Sequence, residues 1–234
     1  MRYNIKWLIL TLCMLSTALV IEAQQIEKFK PQFMIGVGAG PLFSSVDFAP
    51  KILQTLNQGL SGGVSLKYIS EKHLGLLTEL NFTQRGWKED FTETNPEHSY
   101  SRTLSYLEMP LMTHIYFGNK VRFILNIGPQ ISFMISDDAT MNDALADYVE
   151  DILTRDPNYP IGVQYKTIDN RFDYGLVGGL GMEFNTAIGS FDLEGRYYFG
   201  LGDSFDNSRS SVSNFSRSSN RYFAGKLTYY FKVL

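Results

Sequence analysis

From Phe33 onward, apolar and polar residues alternate with a period of two. Residues 121–136 show it most clearly. Val121, Phe123, Leu125, Ile127, Pro129, Ile131, Phe133 and Ile135 fall on one set of alternate positions. Arg122, Ile124, Asn126, Gly128, Gln130, Ser132, Met134 and Ser136 fall on the other. Successive side chains of a β-strand point to opposite faces, so the pattern predicts a strand with one apolar face. Residues 33–44, 60–70, 74–87, 103–117, 171–184, 188–201 and 221–234 read the same way. These segments run to 11–16 residues, whereas strands of soluble domains typically have about 5–6. A tilted strand crossing a bilayer needs about 9–11 residues. The lengths therefore favour an apolar face toward lipid and a polar face toward a narrow interior.

The connectors alternate in length. Residues 71–73, 118–120 and 185–187 are short links, and 45–59, 88–102, 137–170 and 202–220 are long ones. Outer-membrane barrels combine short periplasmic turns with long external loops. The expected fold is all-β: an eight-stranded antiparallel up-and-down transmembrane β-barrel with four long external loops. Closure leaves no unpaired edge in lipid. Eight strands enclose an interior that side chains can fill, so an open pore is not the default. In the acidic loop 137–170, Met141, Leu145, Val149 and Ile152 have helical spacing and predict a short surface helix, with Asp138 as its cap. Calcium binding by the loop's carboxylates is the alternative, but it lacks the EF-hand order of ligands.

Residues 1–23 have a different character. Arg2 and Lys6 precede an apolar run, residues 7–21, that ends near Ala23. This is the form of a cleaved secretory signal peptide. The expected division is a signal peptide at 1–23, a short N-terminal segment at 24–32 and the barrel domain at 33–234, exported to the outer membrane. Of the 234 residues one is a cysteine, Cys13, so a disulfide framework is excluded. A net charge of −3 with 17 Phe, 14 Tyr and 2 Trp argues against disorder. A pI near 5.6 gives nucleic-acid binding no support. The mean hydropathy of −0.12 excludes only helical spans, because a barrel averages an apolar outside with a polar inside.

The polar faces carry Glu79, Arg85, Glu108, Arg122, Asp173, Glu183, Glu194 and Arg196. Buried charges must be paired, so Glu79, Arg85, Glu108, Glu194 and Arg196 in particular are expected to form a structural ion-pair network in the lumen. An ion path or a catalytic pair is the alternative. His114 also falls on a polar face, without a Ser/His/acid grouping, and is expected to be an interior residue. No His/Cys cluster suggests a metal, and no cofactor motif is present. The glycines of 36–40 and 178–181 lie within strands, where they favour curvature and close packing. Near the strand ends, Tyr197, Phe199, Tyr222 and Phe223 suit an aromatic girdle.

Five stretches carry a family resemblance: ELNFTQRGW (79–87), YLEMPLM (106–112), GPQISFMIS (128–136), FDYGLVGGLGMEF (172–184) and EGRYYFGL (194–201). In this order they resemble the PorT-type outer-membrane β-barrel proteins of the Bacteroidetes group. The resemblance implies an outer-membrane barrel and no single activity; a structural, binding or secretion-accessory role without catalysis is expected. A small porin-like channel and a lipid-modifying envelope enzyme are the alternatives. The expected partners are outer-membrane lipid and lipopolysaccharide, the barrel-assembly machinery, and an envelope or secretion protein.

Overall fold

The computed structural model describes residues 29–157, 164–206 and 215–233. The expected signal peptide lies outside them. In chain order the elements are β1 (Gln32–Ala49), β2 (Gln54–Thr55), β3 (Asn57–Glu71), β4 (Leu74–Glu89), β5 (Tyr100–Gly118), β6 (Val121–Met141), α1 (Asp143–Arg155), β7 (Phe172–Thr186), β8 (Gly189–Gly200) and β9 (Arg217–Lys232). Each long strand pairs antiparallel with its neighbours. Pairing of β1 with β9 closes the ring at eight strands. The two-residue β2 is an addition to the expected eight. It caps the loop end of β4 through Gln54–Glu89 and Thr55–Lys88.

The alternation maps onto the wall as a barrel requires. Phe123, Ile127, Ile131 and Phe133 of β6 are each about half exposed on the outside, while Asn126, Gln130 and Ser132 between them are buried. Glycines on the inner face make room for long side chains crossing the lumen. A Cβ at Gly179 would strike the Glu194 carboxylate. Gly179→Leu is therefore expected to cost about 1–3 kcal/mol by overpacking, read as a lower temperature for loss of the compact barrel band on gels. Gly178→Leu, whose Cβ would meet nothing within 4 Å, should leave that temperature unchanged.

Three expectations need correction. The strands outrun the alternating segments, and β6 continues through Asp137–Met141. Asp138 consequently lies in the β5–β6 ladder opposite Thr103 and does not cap the helix. Asn142 does so: its side-chain oxygen accepts from the Leu145 amide at 3.3 Å. The interior is also not polar throughout. Toward the short turns, Met34, Ile69, Leu77, Met112 and Ile124 form an apolar layer, with Phe29 packed against their cluster. Toward the loops, Phe48, Trp87, Tyr100, Leu104, Phe205 and Phe215 form a second one, joined by Leu145 of α1 and by Ile168. The charged residues are interleaved with these clusters: Lys67 pairs with Met34 in one ladder and with Leu77 in the other.

Candidate functional site

The buried charges are stacked in three tiers. Nearest the short turns, Lys67 donates to Glu183 at 2.7 Å and Asp192 at 2.6 Å. Arg122 reaches the other oxygen of Glu183 at 2.7 Å. The Lys67 ammonium also sits over the Tyr230 ring, 3.8 Å from its centre. In the middle tier Arg196 grips both oxygens of Glu79, at 2.6 and 2.9 Å, and donates to Glu194 at 2.8 Å. Lys226 adds a bond to Glu79 at 2.7 Å and one to Asn81 at 2.9 Å. Ser65 and Asn81 also donate to Glu79, so its acceptor capacity is well used.

The third tier centres on Arg85. It donates to Asp173 at 2.7 Å and lies 3.0 Å from Glu108. Its guanidinium is stacked over Tyr106, 3.7 Å from the ring centre. Tyr222 donates to Glu108 at 3.1 Å, and Asn220 donates to Asp173 at 3.1 Å. Above this tier, Arg102 holds Asp137 through two bonds and donates to the carbonyls of Gln164 and Lys166. That residue anchors the returning loop over the mouth. Just outside the strands, burial together with the Glu89 carboxylate raises the Tyr165 phenol above its ordinary pKa.

Across the three tiers five cations face six carboxylates. Near-balance is what a buried interior demands, since an unpaired buried charge costs several kcal/mol, on the order of 3–5 when one partner is removed. Of the residues singled out from sequence, Glu79, Glu194 and Arg196 come together in one tier, and Arg85 and Glu108 in another. Lys67, Asp192 and Lys226 complete the arrangement. Their strand positions marked them as inward, but their partners lie 116, 125 and 147 residues away along the chain.

Each of the three histidines has a local partner. His114 is buried, with Nδ1 2.7 Å from Asn126 Oδ1 and its ring stacked on Tyr116. His73 sits in the β3–β4 turn, its Nδ1 2.8 Å from the Tyr116 carbonyl. His98 packs against Tyr148 and Phe91 in the loops. Among the described residues, no group of three or more His, Cys, Asp and Glu is arranged to hold a metal.

A family model, the outer membrane protein beta-barrel domain, matches residues 23–206. The chain belongs to that family. Membership implies an outer-membrane location, and the apolar outer wall suits it. Comparison with curated proteins yields no match. Among solved structures, the chain is similar to outer membrane protein OprG from Pseudomonas aeruginosa at 10% identity, covering 86% of this chain and 96% of that one, with a TM-score of 0.46. It is similar to Neisserial surface protein A at 11% identity, covering 87% and 100%, with a TM-score of 0.44. It is also similar to Ail, the attachment invasion locus protein of Yersinia pestis, at 12% identity, covering 86% and 99%, with a TM-score of 0.39.

Proposed function

We propose that the protein is a sealed outer-membrane barrel with a structural or binding role, its loop end facing outward as the working surface. The observation that supports this best is the filled lumen: buried, paired charges in three tiers interleaved with two apolar clusters. A solute path would need water along the axis, and the side chains occupy it. Within this reading, a secretion-accessory role of PorT type is the finer assignment, in line with the resemblance of the five sequence stretches. The loops and α1 then supply the surface for a protein partner. Catalysis has no part in the proposal, because His114 is engaged inside the wall, away from a rim where lipid could be attacked.

Planar-bilayer recording tests the proposal. Purified protein is expected to give no steady current above the bare membrane. Stable unitary steps would replace this reading with the porin-like channel. The export route has its own check. N-terminal sequencing of the protein from an envelope fraction is expected to begin at Gln24, within a few residues, and a chain still starting at Met1 would refute cleavage.

A further inference from the structure

Two features adjoin near the Phe43–Phe223 pair of β1 and β9: one spreads below it across β7–β9, and the other lies above it at the loop end of β1 and β9. The lower is an apolar groove of about 590 Å³ in the lipid-facing surface, bordered by Phe43, Leu180, Tyr197 and Phe223. Its floor is made by outward-facing glycines on three consecutive strands. Gly195 stands opposite Leu180 on one side and Gly225 on the other, and Gly178 stands opposite Tyr197. At these positions the alternation calls for an apolar side chain, and the wall has none. A Cβ at Gly178 or Gly225 would meet no atom within 4 Å, and one at Gly195 only a carbonyl oxygen at 4.0 Å. The floor is bare without any internal packing requirement for it.

The upper feature is a cationic recess of about 630 Å³ at the loop end of the same strands, lined by Lys51, Arg217 and Arg221, with Asp47 among them. Its registry with the groove is direct. Phe43 pairs with Phe223, the next outward pair is Ser45 with Arg221, and Ala49 pairs with Arg217. One outward step is about 7 Å along a strand. Arg221 is fixed in place: it donates to the carbonyls of Gly200 and Asn220 at 2.6 and 2.9 Å and to Asp47 at 3.1 Å, and it stacks over Phe199 at 3.8 Å. Arg217 meets the same Asp47 oxygen at 3.1 Å and is largely exposed. Among the described residues lining the recess, Asp47 is the one acid against three cations. The recess therefore keeps net positive charge where the apolar wall ends.

We infer that this face is a binding site for one anionic lipid carrying a phosphate monoester in the leaflet nearest the loops. An acyl chain lies in the glycine-floored groove, and the phosphate sits on Arg217, Arg221 and Lys51. The two ends of an amphipathic molecule are matched here: apolar shape below, and guanidinium groups suited to phosphate oxygens above. The site depends on membrane placement and not on whether the lumen conducts.

Native mass spectrometry on the detergent-purified barrel tests it, with dioleoyl phosphatidic acid and dioleoyl phosphatidylcholine as probes. Wild type is expected to retain the acid about tenfold more than the choline lipid, the scale of one or two charge-assisted hydrogen bonds. Arg217→Ala with Arg221→Ala should abolish that preference. Gly195→Leu with Gly225→Leu should reduce retention of both lipids, because it fills the groove without touching the cations. Heat resistance of the barrel band reports that each variant is folded, and Gly225→Leu alone serves if the glycine pair is not. Equal retention of the two lipids by wild type overturns the site. So does unchanged retention in the glycine variants, because headgroup binding would then be independent of the groove.

Discussion

Replacing Arg196 with methionine is expected to destabilise the barrel by about 3–5 kcal/mol, the cost of orphaning a buried charge. Arg196 is the partner that the middle tier shares: it holds both oxygens of Glu79 and one of Glu194. After the change Glu79 still has Lys226 at 2.7 Å. Glu194 is left without its cation, in a lumen where it is only 4% exposed. The tier would then hold two carboxylates against one ammonium. The measurement is the temperature, or the urea concentration in lipid vesicles, at which the compact band on gels is lost. A second change identifies the cause. Glu194→Gln added to Arg196→Met removes the orphaned charge and should recover most of the loss. If the double variant is no better than the single one, packing and not charge pairing explains the effect.

Trp87→Ala should cost a similar amount, about 3–5 kcal/mol, by a different mechanism. Trp87 is fully buried in the apolar layer near the mouth. Its ring meets Phe48 edge-on at 5.3 Å and lies 6.2 Å from Tyr100 and 6.3 Å from Phe205. The Arg102 guanidinium stands 5.6 Å from it. Truncation opens a cavity among groups that the strand ends hold in place, so the site cannot fully collapse. Phe223→Ala, on the outer wall at 60% exposure, removes a comparable ring where lipid can refill the space, and should cost far less. The same unfolding assay compares the two variants. Equal losses would contradict the assignment of inner and outer faces.

Much of the fold was legible because one physical rule dominates it. A strand in a barrel wall faces lipid on one side and the lumen on the other, and that rule writes itself as alternation at nearly every position of 121–136. Connector lengths then gave strand order and direction. The rule loses force where both faces are apolar. Ile124 and Leu77 point inward yet break no hydrophobic run, so the two apolar layers of the interior were not visible. The strand ends beyond the lipid band are similarly unmarked. Asp137 and Asp138 look like loop residues by composition but remain in the ladder, because β5 supplies their backbone partners. In the lumen, sequence identified which charges point inward, since that follows from parity along a strand. It did not identify the pairs. Lys67 meets Glu183 and Asp192 across the barrel, a contact set by ring closure and strand stagger and not by spacing within any segment. The mouth was least legible: Phe205 and Phe215 lie in a serine-rich loop and fold inward onto Phe48 and Trp87.

Water access to the lumen distinguishes a sealed barrel from an open one. Cys13 is the chain's single cysteine, so introduced cysteines can be read cleanly in a Cys13→Ser background. Ser132 points into the lumen at 2% exposure, Ile131 beside it faces lipid at 42%, and Thr94 is exposed in a loop. With a membrane-impermeant maleimide on the folded protein in vesicles, Thr94→Cys is expected to react fully. Ser132→Cys and Ile131→Cys should remain unlabelled until the barrel is unfolded. Labelling of Ser132→Cys in the folded protein at the rate of Thr94→Cys would show an aqueous path through the barrel and contradict a sealed lumen.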